Sequence, residues 1–407
     1  MLKWIIRLIV AAVALVVLAV GSIIGLPWLA VLGEQFGAAP YRSHLAANET
    51  VLDLNAPDAG FALASDDLNA RYIILGEMHG YAMPQQFDAA LITYLQTEGP
   101  PRWYLAEMTP REAIAVNEYL AGGDDAYVRA VFDRFAEMGV QWGNQEFFRK
   151  LTSLRALNET LPDTRQLRFI GIDLDRDGDP LDLPETEDVG APNLSDPAAA
   201  RAINEALLRV PTETGSRYAA MRARLTTLAE MPGFADARFA GLWGLFHASE
   251  APINNSEPLA LWLQDASATY AGDVVTINSM CVGDCFNMMP AAALPEPMAG
   301  PNGERFTWVP MGIESPYFQR PKGISDFIHA LGTDRAALYR VGGEGSPYMQ
   351  SDRLAASSGY LVMMQPWEVS GTAAQMTDYL LVYRNSAPLH PWSGEAFDVS
   401  GQAAEAR

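Results

Sequence analysis

The chain has 407 residues, with 28 basic and 49 acidic side chains and a formal charge of −21. An acidic excess of that size repels nucleic acid and anionic membrane faces, so nucleic acid is not expected as a partner. The length is more than one small core needs, yet a single large α/β domain can absorb it.

Residues 1–36 set the expected compartment. After Lys3 and Arg7, Glu34 is the one charged residue between Leu8 and Phe36. This apolar run exceeds the roughly 20 residues needed to cross a bilayer. It also exceeds the apolar core of a cleavable signal peptide, which reaches about 15 residues. Basic residues precede the run and acidic ones dominate after it. One N-terminal transmembrane helix is therefore expected, with the N-terminus cytoplasmic and the main domain periplasmic or extracellular. A connector, 37–69, leads into a domain spanning 70–400.

Strands and helices then alternate. "RYIILGE" reads as a strand, and "MPQQFDAALITYLQT", with Phe87, Leu91, Tyr94 and Leu95 at helical spacing, as an amphipathic helix. "RWYLAEM" is a second strand. "PREAIAVNEYLAGGD" is a helix, opened by Pro110 and closed by glycines. "DAYVRAVFDRFAEM" and "NQEFFRKLTSLRALNET" add two more helices, and "LRFIGIDLD" a third strand. An acidic, turn-rich section follows, then helical patterns near Asp196–Arg209 and Glu213–Glu230. Residues 176–236 read as an insertion that could form a lid. "RFAGLWGLF" and "DVVTINSMC" restore the strand rhythm on either side of a helix in "SEPLALWLQDA". A stretch rich in proline and glycine, Phe286–Gly323, shows no clear pattern. "SDFIHALG" is a short helix and "DYLLVYR" a closing strand. The alternation predicts an α/β fold with a largely parallel central sheet flanked by helices.

Polar residues fall where these strands end: Glu77 and His79, Glu107, Asp173, His247 and Asn278. In open α/β sheets the carboxyl ends of the strands bound the ligand crevice, so the residues are expected to share one site. Glu77 and His79 are two apart and would project to one side of an extended strand, roughly 7 Å apart along it. Gly76 removes a side chain beside them, and Gly80 permits a tight exit. A histidine held by carboxylates suits a general base acting on water, with His247 to bind an oxyanion or act as acid. Asp173 and Asn278 would contact substrate. Alternatively Glu77, His79 and His247 could ligate a divalent metal such as Mn or Zn. His44, His329 and His390 fall in a connector, a helix and a loop, and are expected to be structural.

Two further motifs stand apart. Asp173, Asp175, Asp177 and Asp179, with Gly178 between the last two, occupy positions of a twelve-residue Ca²⁺ loop, but Pro184 stands where the closing glutamate belongs. An exposed acidic turn is the preferred reading. Cys281 and Cys285, the only cysteines, could close a short disulfide in an oxidising compartment.

"ILGEMHG", "LAEM", "FIGIDLD" and "LWGLFHAS" resemble the superfamily that unites erythromycin esterases, ChaN-like haem-uptake lipoproteins and the Tiki (TraB) proteases. The resemblance implies an α/β fold in which Glu77, His79, Glu107 and His247 are the site residues, with His79 as the base that activates water. Met78 alone separates Glu77 from His79, where the esterase pattern has two residues; this spacing is closer to the ChaN-like branch. The resulting expectation is a membrane-anchored, extracytoplasmic hydrolase acting on a small-molecule or peptide substrate. The alternatives are a haem- or other ligand-binding uptake protein without turnover, and a metal-dependent protease.

Overall fold

A computed structural model of the chain describes residues 31–174, 192–211, 216–295, 305–314, 320–333, 335–358 and 371–394, with isolated positions before 31. Helix α1 (Ala39–Ala47) leads into strand β1 (Glu49–Val51) and the short helix α2 (Ser65–Leu68). There follow β2 (Tyr72–Glu77), α3 (Met83–Glu98), β3 (Trp103–Ala106), α4 (Pro110–Leu120), α5 (Ala126–Met138), α6 (Gln145–Thr160) and β4 (Phe169–Gly171). Next come α7 (Ala200–Leu208), α8 (Arg217–Ala229), β5 (Phe239–Gly244), α9 (Leu259–Gln264) and β6 (Val274–Val282). The chain continues through β7 (Phe286–Pro290), β8 (Phe306–Pro310), β9 (Arg320–Pro321), α10 (Ile324–Leu331), β10 (Ala336–Arg340), β11 (Ser357–Ser358), α11 (Ala373–Met376) and β12 (Tyr379–Arg384).

Among the described residues, eight strands form one sheet in the order β1-β10-β12-β6-β2-β5-β3-β4. From β12 to β4 every neighbouring pair is parallel, and β10 alone runs against the rest. The expected largely parallel α/β sheet is therefore what forms. Strand β2 has all six residues buried, as a central strand covered on both faces must. Its alternation divides the core: Ile73 and Leu75 join the side chains of α3 to α6, while Tyr72 and Ile74 join those of α7 to α9. A third apolar cluster holds α1 and α10 against β10 and β12. The chain leaves β2 for β3 and β4 on one side and later returns to β5 and β6, which flank β2. The carboxyl end of β2 is thus a topological switch point, where a crevice opens.

Local chemistry fixes the helix starts that surround this crevice. Thr109 and Glu112 form a reciprocal capping box with Pro110 in the first turn of α4. Asn144 accepts from the Phe147 N–H at 2.7 Å at the start of α6. Helices α7 and α8, which fall in the section read as an insertion, place Ile203, Leu207, Met221, Leu225 and Leu228 in the second-face core. They cover the sheet itself. The proline- and glycine-rich stretch, which shows no clear pattern in sequence, contains two paired strands, β7 running antiparallel to β8.

Most of the apolar segment 1–36 lies outside the described residues, and among the described residues no helix is long and apolar enough to cross a membrane. Its one acidic residue is described. Glu34 is buried, accepts from Arg320 Nη1 at 2.7 and 2.8 Å, and accepts from the Gly323 N–H at 3.1 Å. Its backbone carbonyl accepts from Arg353 at 2.8 Å. The end of the segment is thereby fastened to the domain. A disulfide joins Cys281 and Cys285, whose Cα atoms lie 6.2 Å apart at the end of β6.

Candidate active site

Five of the six strand-end residues gather at the carboxyl edge of β2, β3, β4 and β5. Glu77 closes β2 with 1 % of its surface exposed, and its Oε1 lies 2.9 Å from His79 Nδ1. A carboxylate oxygen can only accept, so the His79 proton sits on Nδ1 and the lone pair on Nε2. The second Glu77 oxygen accepts from Gln85 Nε2 of α3 at 3.3 Å. The His79 ring packs against Trp142, edge to face, at 5.0 Å, and its side chain keeps 34 % of its surface open.

Glu107, one residue beyond β3, is held on both oxygens. Oε1 accepts from Arg217 Nη2 at 2.6 Å, and Oε2 from the Gly244 N–H at 2.8 Å. Arg217, the first residue of α8, also donates to both oxygens of Asp173, at 2.6 and 2.7 Å. Asp173 lies just past β4, and its own carbonyl accepts from Arg224 of α8. His247, three residues past β5, points Nε2 toward Glu107 Oε1 at 3.6 Å. Around it stand Trp243, Phe246 and Tyr218, and its Nδ1 meets no partner among the described residues.

Two glycines make the room for this packing. A Cβ on Gly244 would lie 2.8 Å from His79 Nε2 and 3.7 Å from Glu107 Oε2. One on Gly76 would lie 2.5 Å from Asn278 Oδ1 and 2.7 Å from the Ala248 methyl. Only hydrogen at these positions lets the strand ends and their side chains approach so closely.

The electrostatics follow from burial and charge. Burial pushes the Glu77 carboxyl above its ordinary range, against the opposing hydrogen bond and charge of His79. Burial would push the His79 imidazole down, but the Glu77 hydrogen bond and the charges of Glu77 and Glu107 outweigh it and leave it raised. For Glu107 burial acts upward, yet the charges of His247, His79 and Arg217 and the Gly244 N–H bring its carboxyl down to about 2. His247 goes the other way, its burial holding it below the ordinary histidine value despite Glu107. A buried carboxyl pushed up, a second held low, a buried histidine pushed down and a half-buried histidine of raised basicity thus share the site.

A cleft of about 300 Å³ opens over this group, and His79, Glu107, Asp173 and Arg217 line it with Trp142 and Phe135. Glu77 and His247 stand behind this front. Asn278 is not among the residues that line it: β6 continues to Val282, and Asn278 pairs with Gly76 inside the sheet, so the expectation that it ends a strand is corrected. A polar residue marked the strand end only because Asn is rare inside buried strands. Asp173 lines the cleft, but both its oxygens are committed to Arg217.

The metal alternative fits poorly. Among the described residues no group of three or more His, Cys, Asp or Glu side chains is arranged to hold a metal ion. The carboxylate between the two histidines is already met by a guanidinium and a backbone N–H. Of the calcium-loop positions, Asp175, Asp177 and Asp179 lie outside the described residues, and Asp173 is engaged with Arg217. His44 and His390 sit away from the cleft, His44 against the Arg340 carbonyl at 3.1 Å and His390 against Glu146 at 2.8 Å. Arg217, Gly244, Trp142 and Gln85 were not singled out from the sequence.

No protein-family model matches the chain, and no curated protein matches it in sequence. Its fold does match solved structures. A Bacillus cereus protein from a structural-genomics programme superposes with a TM-score of 0.56 at 11 % identity, over 87 % of this chain and 99 % of its own. A succinoglycan biosynthesis protein gives 0.52 at 14 % identity, over 86 % and 97 %. A mutant of the erythromycin esterase EreC in its open conformation gives 0.53 at 14 % identity, over 84 % and 99 %. At these identities the likeness is one of fold, and it is the fold expected from the resemblance of the strand-end motifs.

Proposed function

We propose that the chain is a hydrolase, anchored by residues 1–36 with its α/β domain outside the cytoplasm, that cleaves an ester, lactone or peptide bond with His79 as base. The observation that carries the reading is the 2.9 Å contact of His79 Nδ1 with the buried Glu77 carboxylate, on a ring that also lines the cleft. Glu77 fixes the tautomer and orientation, and Nε2 remains to take a proton from water. As water attacks the carbonyl carbon, its proton passes to Nε2 and the carbonyl electron pair moves to oxygen. Collapse of that intermediate breaks the bond to the leaving group, which takes the proton back from Nε2. Glu77 and Glu107 stabilise the imidazolium between the two transfers, and His247 acts through Glu107, since it does not line the cleft. The erythromycin esterase among the structural neighbours agrees with ester chemistry. The anchor rests on the uncharged apolar run 8–33 and the basic residues ahead of it.

The test uses the full chain in detergent, screened on aryl and alkyl esters and lactones with and without chelator. His79→Ala should reduce kcat/KM by about 10²–10⁴-fold, the range for loss of a general base, and chelator should leave the wild type unchanged. Hydrolysis that survives His79→Ala would refute the reading. Activity lost to chelator and restored by Mn²⁺ or Zn²⁺ would point to the metal-dependent alternative, and a Soret band on adding haem without any hydrolysis to the uptake alternative.

A further inference from the structure

Behind Glu107 lies a second charged group that the proposed chemistry does not use. Lys150 of α6 and Asp88 of α3 form an ion pair at 2.7 Å, each side chain 1 % exposed. Tyr104 of β3 donates to the same Asp88 oxygen at 2.6 Å. Lys150 Nζ in turn reaches the Tyr104 hydroxyl at 3.3 Å, and that hydroxyl accepts from the Leu242 N–H of β5 at 3.1 Å. The ammonium also stands 4.4 Å from the centre of the Phe147 ring. An ion pair this deep adds little to stability, because desolvating both charges offsets most of their attraction, and apolar residues of like volume commonly do as well. Its position suggests what it does instead.

A small cavity, about 10 Å³, lies beside the cleft, and Lys150, Tyr104, Glu107 and Trp142 are among the residues around it. That is about the space one water molecule requires, provided it meets two or more polar partners. Lys150 supplies donors and Glu107 an acceptor: of the two Glu107 oxygens, Oε2 receives one hydrogen bond, from the Gly244 N–H, and an ionised carboxylate oxygen has a second lone pair. Trp142, which touches the cavity, is also the residue packed on the His79 ring. Lys150 is the charged end of the pair that borders the cavity.

We infer that Lys150 is a positioning residue for the site: through one water in this cavity its ammonium holds Glu107 in place, and its charge supports the ionised carboxylates beside His79. Asp88 and Tyr104 in turn hold Lys150. The charged groups facing His79 are then Glu77 from β2, Glu107 from β3 and Arg217 from α8, with Lys150 behind them. The inference rests on the role given to Glu107 in the proposed hydrolysis, but its first test does not.

That first test is a crystal structure of the full chain at a resolution that shows ordered water. A water within hydrogen-bond distance of both Lys150 Nζ and a Glu107 oxygen is expected, and a cavity without one overturns the inference whether or not any ester is turned over. The second test is the pair variant Lys150→Met/Asp88→Asn, which removes both charges and keeps an acceptor for Tyr104. On any ester whose turnover depends on His79, kcat should fall about tenfold with KM unchanged. The acid limb of the pH profile should also shift from its wild-type position, since Lys150 borders the cavity beside Glu107 and Asp88 does not, so the two lost charges do not cancel at the site. A purely structural pair would give a variant with wild-type kcat and wild-type limb, and that result overturns the inference. Failure to find any hydrolysis counts against the proposed function and leaves the water test standing.

Discussion

The molecule contains two histidine–glutamate pairs of nearly the same geometry. His79 Nδ1 lies 2.9 Å from Glu77, and His390 Nδ1 lies 2.8 Å from Glu146. The second pair is a fastener. Glu146 also accepts from the His390 N–H at 2.9 Å, and the His390 carbonyl accepts from the Gln145 N–H, so the group ties the C-terminal loop to the start of α6. The first pair sits at the switch point of a parallel sheet, on the wall of a cleft, with a second carboxylate and an arginine beside it. A short His–Glu contact is therefore not a site in itself. The neighbours decide, by placing the ring in the wall of a cleft with its basicity raised.

Breaking one pair and then the other tests that contrast. The largest effect after removal of His79 itself is expected from Gly244→Ala. The added methyl would meet His79 Nε2 at 2.8 Å and turn the ring away from the attack position, a displacement of the kind that costs about 10²-fold in kcat/KM. Circular dichroism should show the fold retained, and unchanged turnover would mean that the ring is not where the chemistry happens.

A second variant concerns stability. Because the Glu107 carboxyl is brought down to about 2 from an ordinary 4.5, its contribution to stability is present above the ordinary value. It is lost as pH falls from there through about 2. Glu107→Gln should lower stability to urea at pH 7 by about 1–3 kcal/mol, the cost of leaving buried charged partners unmatched. It should also make the midpoint fall less steeply between pH 4.5 and pH 2 than in the wild type. Equal acid sensitivity in both proteins would contradict the assignment of charge at the site. The smallest effect belongs to the fastener: His390→Ala should cost about 1 kcal/mol in stability and leave kcat/KM within twofold of wild type. A large kinetic loss there would erase the distinction between the two pairs.

Much of the site was legible because parallel-sheet topology converts a one-dimensional pattern into a place. Glu77, His79, Glu107, Asp173 and His247 each follow an apolar strand, and strand ends meet. What could not be read is what arrives from elsewhere. Arg217 stands at the head of a helix, 110 residues beyond Glu107, and nothing in its local sequence pattern aims it at the crevice. Lys150 and Asp88 lie on helices whose charged residues are ordinarily solvated, so their burial is invisible without the partner. Gly244 read as one more residue of a strand, since its importance lies in the ring that passes over it. The fold shows the same division. β2, β5 and β12 are six-residue strands of mostly apolar sequence, whereas β7 and β8 are five residues long, only partly buried, and end in proline. Asn278 misled for the opposite reason, as a polar residue inside a strand that a missing Cβ at Gly76 makes tolerable.

The central claim is that Glu77 makes His79 a base of raised strength, and the pH dependence of kcat/KM in the wild type and in Glu77→Gln tests it most directly. A base must be unprotonated to act, so activity should rise with pH through the His79 ionisation. In the wild type that midpoint should lie above the ordinary histidine value of 6.5. In Glu77→Gln the charge that raised it is gone, so the midpoint should move to lower pH while kcat/KM on the plateau drops by about 10–100-fold. The same limb in both proteins, or one that moves upward in the variant, would contradict the account.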